Sequence, residues 1–445
     1  MSFDLVVRSK RAVLPAGEAP AAIAVLAGRI AAVERYDARL RAAHQEDLGH
    51  IALLPGLVDT HVQVGTRDGA RHRALRDTTA AAAAGGVTTI LQTPLSSGHN
   101  TVSAAALRAK RAAAEGNCAV DVGFWGGAVP GDRAELRPLH EAGAVGFTCF
   151  LADPDTAGFA PLDGPGLRAA FAELAAIGTG TLMAVHAEDA SEIKPVCGPS
   201  YAAFLASRPP RAERRAIEKV VAAVAASDVP AHITHLSAAE CVALIAGAKA
   251  AGIALTAGTC PHYLFFAAEE IPDGATQFTC FPPIRDAINR EALWRGLEAG
   301  AIDCVVSGHS PAPPGPGRAD TADFGAARAG ISSLPLSLAA MWTAARRRRH
   351  ELGDVIRWMA QQPAAIAGLS HKGRLAAGCD ADLVAFDPSA EFTVPTAGPS
   401  HRGRVTAYEG RMLAGAVKAV WLRGDRVAAG SPPRGRVISR GQGGS

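Results

Sequence analysis

Between about residues 55 and 370 short apolar runs alternate with alanine-rich stretches, and no other feature restricts the fold as tightly. The runs are LLPGLVDTH, GVTTILQTP, AVDVGFWGG, AVGFTCFL, TLMAVHAE, PAHITHLS, IALTAGTCPH and IDCVVSGHSP. They are too short for ordinary helices and are bounded by glycine, proline or polar residues, so each reads as a buried strand. The stretches between them, such as SAAALRAKRAAAE, GLRAAFAELAAIG and AERRAIEKVVAAVAA, are built of helix formers with apolar residues at helical spacing. Strands that alternate with helices form parallel β/α units, and eight such units close into a barrel. The predicted fold class is α/β, a (β/α)8 TIM barrel.

The two chain ends have a different texture. FDLVVRS, AIAVLAG and RIAAVER near the start, and LAAGCDADLVAFDP with RVTAYEGRMLAGAVKAVWLRGDRV near the end, read as strands with Gly and Pro turns. Both ends are expected to meet in one small β-sandwich beside the barrel. The division that follows is residues 1–54 and 371–430 for the sandwich, 55–370 for the barrel, and a Gly-, Pro- and Arg-rich tail, 431–445, expected to be frayed.

Composition excludes several function classes. The formal net charge is +3 over 445 residues, which argues against nucleic acid or a charged membrane surface as partner. The single basic run, Arg346 to Arg349, follows an apolar helical stretch and reads as a solvated helix end. No apolar stretch is long and charge-free enough to span a bilayer, and the start of the chain lacks a signal-peptide apolar block. Eight cysteines are scattered with no C-x-x-C pair, a pattern that suits a reducing cytoplasm.

In barrels of this type the active site lies at the carboxyl ends of the strands. Those ends carry His61 and Gln63 after LLPGLVD, Thr148 in GFTCF, His186 after LMAV, His235 after HIT, and Gly308 and His309 after CVVS. A lone histidine at a strand end is more often structural than catalytic. Three at separate strand ends point to one shared pocket.

The motifs PGLVDTHVQV, AAAAGGVTTILQTPLSS, VGFTCFL, VHAED, HITHLS, TCPHYL, PPIRDAINREALW, SGHSPAPP and HKGRLAAGCDADLVAFDP resemble, in order and spacing, those of the cyclic-amide hydrolases: allantoinases, dihydroorotases and hydantoinases. SGHSPAPP, PPIRD and TCPHYL are most similar to the allantoinase branch. The resemblance implies two divalent ions, usually zinc, held by a strand-1 H-x-H pair, a carboxylated lysine, two later histidines and a strand-8 aspartate that takes the proton from the bridging hydroxide. Paired cations lower the pKa of bound water enough to supply hydroxide at neutral pH.

Carried over residue by residue, that pattern is incomplete. His61, His186 and His235 match ligand histidines. Gln63 stands in place of the second His of H-x-H, Thr148 in place of the bridging lysine, and Gly308 in place of the aspartate. Gly258 replaces a frequent acidic residue, and Phe281 precedes PPIRD where a small polar residue is usual, which would shrink or dry the pocket. Threonine has no amine to carboxylate, glycine has no side chain, and glutamine's amide oxygen is a weaker ligand than imidazole.

Two cations without an anionic ligand repel strongly in a low-dielectric pocket. The expectation is therefore no dinuclear centre, with one zinc on His61, His186 and His235 as the fallback. The leading functional expectation is an atypical enzyme acting on a cyclic amide, ureide or imide C–N bond by ring opening, closure or dehydration. His61, His186, His235 and His309 would be its acid–base groups. Gln63, Thr148, Gly308, Phe281 and Ser96 would line the substrate pocket. An inactive scaffold for a hetero-partner subunit and an ordinary allantoinase-type zinc hydrolase stay open as alternatives. Assembly as a homo-oligomer, dimer or tetramer, is what the resemblance implies. Arg67, Arg71 and Arg73, after the first strand, read as a solvated loop. Asp303 reads as structural, and Cys149 and Cys260 as packing residues.

Overall fold

The computed structural model describes residues 2–65, 71–95, 99–178, 180–311, 321–396, 406–428 and 430–441. Near the start of the chain lie β1 (Phe3–Leu14), β2 (Gly17–Leu26), β3 (Arg29–Arg35), β4 (Ala42–Asp47) and β5 (Ala52–Pro55). The barrel strands follow: β6 (Leu57–Val62), β7 (Val87–Gln92), β8 (Asp121–Phe124), β9 (Gly126–Gly127), β10 (Phe147–Phe150), β11 (Met183–His186), β12 (Ala231–Ile233), β13 (Leu255–Thr259) and β14 (Cys304–Val305). Then come β15 (Leu383–Thr393), β16 (Met412–Leu422) and β17 (Asp425–Val427).

Parallel pairing runs from β6 through β7 to β8 and from β9 through to β14. Only Trp125 separates β8 from β9, and its N–H bonds to Gln92 O (3.0 Å) while the next N–H, of Gly126, bonds to Gly146 O (2.9 Å). The two segments are thus one strand that changes neighbour. The ring closes where Val62 bridges His309 in parallel and Gln63 N–H donates to His309 O at 2.7 Å. Eight strand positions result, as the sequence alternation predicts.

A helix follows each position: Arg71–Ala84, Ala104–Ala114, Leu136–Glu141, Gly164–Ile177, Pro210–Ser227, Val242–Ala250, Ala287–Glu298 and Ser337–Arg346. Local chemistry starts several of them. Ser103, Asp163 and Asp286 accept the N–H three residues on, at 3.2, 2.7 and 2.7 Å, so each caps an otherwise unsatisfied donor. The helix Pro210–Ser227 buries Ala216, Ile217, Val220, Ala223 and Val224, a stripe at spacings of three and four that packs on the barrel. The basic run sits at the end of Ser337–Arg346, where Arg346 pairs with Glu391 and Arg348 with Glu291.

Both chain ends enter one eight-stranded sheet, ordered β17-β16-β15-β5-β1-β2-β3, with β4 paired to β1. The join is β15 against β5, antiparallel, with Leu383 opposite Pro55 and Phe386 opposite Ala52. Alternation along β1 sends Leu5 and Val7 to one apolar cluster, with Ile23, Leu53 and Trp421, and Val6 to another with Ala22 and Ala24. The sequence-based boundary at residue 54 falls inside β5.

The tail departs from expectation. As far as Gly441 it is bound rather than frayed: Gly435 N–H donates to Cys118 O, Val122 N–H to Arg436 O, and Ile438 N–H to Val122 O. Its Gly/Pro/Arg composition hid a strand-like pairing with β8, in which Val437 bridges Val122. Beneath it, Lys372 Nζ lies 2.6, 2.9 and 2.7 Å from carboxylate oxygens of Asp121, Asp380 and Asp382, and Arg423 adds a 2.7 Å bond to Asp121. Barrel, sheet and tail are pinned at this buried knot. No disulfide joins any of the eight cysteines, and among the described residues no helix is long and apolar enough to cross a membrane.

Candidate active site

The carboxyl ends of the barrel strands open on a cavity of about 100 Å³ lined by His61, Gln63, His186, His235, Phe281 and Gly308. Six residues singled out from sequence therefore share one pocket. His186 ends β11, and its Nδ1 lies 3.1 Å from Nε2 of His235, the second residue after β12. The His61 ring stands edge-on to His235 at 5.0 Å between centroids, and Phe150 stacks on His186 at 4.7 Å. Burial disfavours the charged imidazole: His61 is pulled down to about 4 by burial and by the neighbouring His186, and His235 well below its ordinary value for the same two reasons and the proximity of His61.

The three positions that depart from the resemblance each have a structural setting. Gln63 is held by Ser310, whose hydroxyl donates to Gln63 Oε1 at 2.5 Å. Thr148, expected to line the pocket, is instead buried inside β10 and is not among the lining residues, a correction to the sequence reading. Gly308 has φ +59°, and a Cβ there would fall 2.7 Å from Cys260 Sγ and 3.2 Å from His262 Cε1. At Gly258 a Cβ would fall 2.9 Å from Thr234 O and 3.1 Å from His232 Nε2. The volume that side chains at 308 and 258 would need is filled by neighbours.

Two further expectations are corrected. His309 does not face the pocket: its Nδ1 accepts N–H bonds from Ser333 (3.1 Å) and Leu334 (3.3 Å), and burial pulls it down to about 3. The left-handed turn at Gly308 directs its side chain toward this segment. The three histidines of the fallback zinc set line one pocket, with His186 and His235 in contact, but do not form a preassembled trio of ligand atoms. Among the described residues, the one trio whose ligand atoms all lie within 4.8 Å of one another is Asp121, Asp380 and Asp382, not the three histidines. Tetrahedral zinc ligands at about 2.0–2.1 Å must converge more closely than that. The carboxylate trio sits at the amino end of β8, away from the mouth, and already encloses the Lys372 ammonium, which serves as its cation. Ser96, Arg67 and the side chain of Arg71 lie outside the described residues. Arg73 is exposed on the first turn of its helix.

Other readings agree with the structure. Asp303 pairs with Lys249 at 2.6 Å and accepts Ala257 N–H. Burial pushes the Cys149 thiol up to about 12 and the Cys260 thiol well above its ordinary value, which suits packing and not nucleophilic use.

Several site residues were missed. Glu188, two positions after His186, is fully buried; its Oε2 lies 3.0 Å from His186 Nε2 and 2.7 Å from Arg208 Nη1, while Oε1 has no partner. Burial would raise its pKa, but the charge of Arg208 and the bond from His186 outweigh it and hold the carboxyl below the usual range. Arg208 in turn lies 3.5 Å over the Phe281 ring. His262, in TCPHYL, lines the pocket with a buried, unpartnered Nδ1 and is pulled down to about 3 by burial. Asp59 accepts His61 N–H and Ser307 N–H, both at 3.1 Å, tying β6 to the segment after β14; burial pushes it up to about 6. VHAED, TCPHYL and VDTH contained these residues, but side-chain partners from distant segments gave no local signal.

A barrel mouth of clustered histidines, flanked by a sheet made from both chain ends, defines a class. The chain belongs to the amidohydrolase family, whose model matches residues 52–427. Within it the chain groups with the cyclic-amide hydrolases on the allantoinase side. It is 48% identical to an allantoinase of Streptomyces avermitilis over 98% of this chain and 99% of that one, and 38% identical to the allantoinase of Saccharomyces cerevisiae over 86% and 84%. The L-hydantoinase of Arthrobacter aurescens superposes with a TM-score of 0.86 at 27% identity, covering 98% of this chain and all of that one.

Proposed function

We propose that the protein opens or closes the ring of a small cyclic ureide or amide, allantoin being the first candidate, with pocket histidines as its acid–base groups and without the family's two-ion centre. The observation that carries this reading is the bonded pair His186–His235 beside His61 in one cavity. A neutral imidazole can donate at one nitrogen and accept at the other, so such a pair can move a proton to or from a ring nitrogen. Against the two-ion centre stand Gln63 engaged by Ser310, a threonine with no amine at 148, and the filled space around Gly308. Homo-oligomeric assembly belongs to the same proposal, as does a reducing compartment, which eight cysteines without a disulfide support.

Two specific observations favour other readings. The 48% identity to an allantoinase favours ordinary metal-dependent hydrolysis. The cavity of about 100 Å³ is small against the roughly 300–1,000 Å³ of typical ligand sites, and favours a chain that supports a partner subunit without turnover. One experiment separates the three: turnover of allantoin, hydantoin and dihydroorotate by protein purified without chelators, with metal content measured on the same sample. Our reading expects chelator-insensitive turnover that His186→Ala abolishes while the fold is retained. Two equivalents of metal with chelator-sensitive turnover would replace it with the first alternative, and no turnover by well-folded protein with the second.

A further inference from the structure

We infer that the protein has a second ligand site, on the barrel face opposite the mouth, that takes a small organic molecule carrying an oxyanion. It goes beyond the histidine-based reading and does not depend on it, because the two sites share no lining residue. A cleft of about 910 Å³ lies where the terminal sheet, the amino end of β8 and the terminal segment meet. Typical ligand sites occupy roughly 300–1,000 Å³ and favour such junctions between structural units. Two hairpin turns border the cleft: Ala27–Gly28 between β2 and β3, and Arg423–Gly424 between β16 and β17. Each is a two-residue turn with positive φ at both positions, +50° and +78° in the first and +49° and +82° in the second. The turns touch, since a Cβ on Gly28 would fall 3.1 Å from Arg423 Cβ.

The class of ligand follows from which donors and acceptors are already engaged. Three carboxylates line the cleft, and each has cationic partners. Asp121 accepts from Lys372 at 2.6 Å, Arg423 at 2.7 Å and the Arg436 N–H at 2.8 Å. Asp380 lies 2.9 Å from Lys372 and 3.7 Å from Arg29, and Asp425 pairs with Arg434. Donors, by contrast, are left over. The exposed Arg436 guanidinium and the half-buried His371 ring both line the cleft, and neither side chain has a partner among the described residues. The charges give the same answer. Arg29, Lys372 and Arg423 balance Asp121, Asp380 and the adjoining Asp382, and Arg434 balances Asp425, so Arg436 is the cation without a countercharge. A guanidinium with its N–H groups unspent, among carboxylates already engaged, selects an incoming carboxylate or phosphate. Leu369, Val437 and Ile438 add apolar wall that a bare inorganic ion would leave unused, which is why the anion is assigned to an organic molecule.

The test applies thermal-shift and calorimetric titration to the full chain. The probes are succinate, adenosine monophosphate and inorganic phosphate, with sodium chloride at matched ionic strength as reference. At roughly 100 times Kd, a ligand that binds only the folded chain raises the melting temperature by several degrees. Succinate or adenosine monophosphate is expected to do so and to bind more tightly than inorganic phosphate; succinate would mark the anion as a carboxylate, adenosine monophosphate as a phosphate. Arg436→Gln keeps the backbone bonds of the terminal segment and should weaken that binding about tenfold or more. If Arg436→Gln does not fold, His371→Gln carries the same expectation of weakened binding. His186→Ala, at the opposite face, should bind the probe as wild type does. No shift beyond the chloride reference, no probe bound more tightly than inorganic phosphate, unchanged affinity in the folded cleft variant, or loss of binding in His186→Ala would each overturn the inference. None of these results bears on turnover at the mouth, so failure here and failure of the histidine-based reading are told apart.

Discussion

Gly308 and Cys260 leave no room for a side chain between them: a Cβ on Gly308 would approach Cys260 Sγ to 2.7 Å, from a backbone held at φ +59°. Restoring an aspartate there is therefore more than adding a ligand. Gly308→Asp is expected to cost about 1–3 kcal/mol from left-handed strain and overpacking together, read as a lower midpoint in urea denaturation. Adding Cys260→Ala should recover part of that loss. Equal stability of Gly308→Asp and wild type would show that the neighbourhood yields freely.

Lys372 makes a second prediction. Its ammonium is the cation for Asp121, Asp380 and Asp382, and its side chain is 6% exposed. Burial alone would lower its pKa, but the three carboxylates outweigh that and raise it. Lys372→Met leaves buried like charges uncompensated and is expected to cost about 3–5 kcal/mol. The variant should also gain an ability that wild type lacks: the vacated trio should bind Mn²⁺ and raise the melting temperature in proportion to its concentration. No cation-dependent shift in the variant would contradict the view that the lysine fills a metal-sized space.

Acid stability offers a third. His309 and His232 are both held at about 3 by burial, the latter also by the proximity of His61 and of the Lys249 ammonium, against an ordinary value near 6.5. Between those limits the unfolded chain binds more protons than the folded one. Folding stability should therefore be intact above about pH 6.5 and fall as pH drops toward 3, by up to about 1.4 kcal/mol per pH unit for each group. His309→Asn keeps an acceptor for Ser333 and Leu334 but cannot titrate, and should make the fall shallower by about one proton's worth. Equal slopes for variant and wild type across that window would refute the assignment.

The terminal segment gives a fourth. Removing residues 431–445 deletes three backbone bonds to the β8 region and the Arg436 N–H bond to Asp121 Oδ1 (2.8 Å). At about 0.5–1.5 kcal/mol for each of the four bonds, the expected loss is roughly 2–6 kcal/mol, visible as a lower melting temperature with the barrel still able to fold. Gly435→Ala probes the same contact with a single side chain, because a Cβ there would meet Val120 O at 2.0 Å and force the segment off β8. An unchanged melting temperature in the truncated chain would mean the segment rests on the barrel without supporting it.

How much of this was legible beforehand varies with the range of the interaction. The strand ends were readable because a barrel places the residue after each apolar run at one rim, so His61, His186 and His235 could be assigned to one mouth from spacing alone. Thr148 and Gly308 could be flagged as unable to ligate from their chemistry. His309 could not be oriented, because the turn at Gly308 and the N–H groups of Ser333 and Leu334 that receive its ring lie outside any local pattern. The tail was misjudged for a related reason: Gly435 and Arg436 look like a loose end until β8 is placed beside them.

The sequence by itself determined the periodic alternation, hence the barrel, and the kinds of atom available at its mouth. Both follow from local physics, since burial of an apolar run and the donor–acceptor inventory of a side chain do not depend on distant residues. Tertiary structure alone decided which atoms meet. Glu188 touches Arg208 across 20 residues, Gln63 touches Ser310 across 247, and Lys372 reaches Asp121 across 251. Proton placement and charge compensation depend on contacts within about 3 Å, and that scale is set only when the barrel has closed.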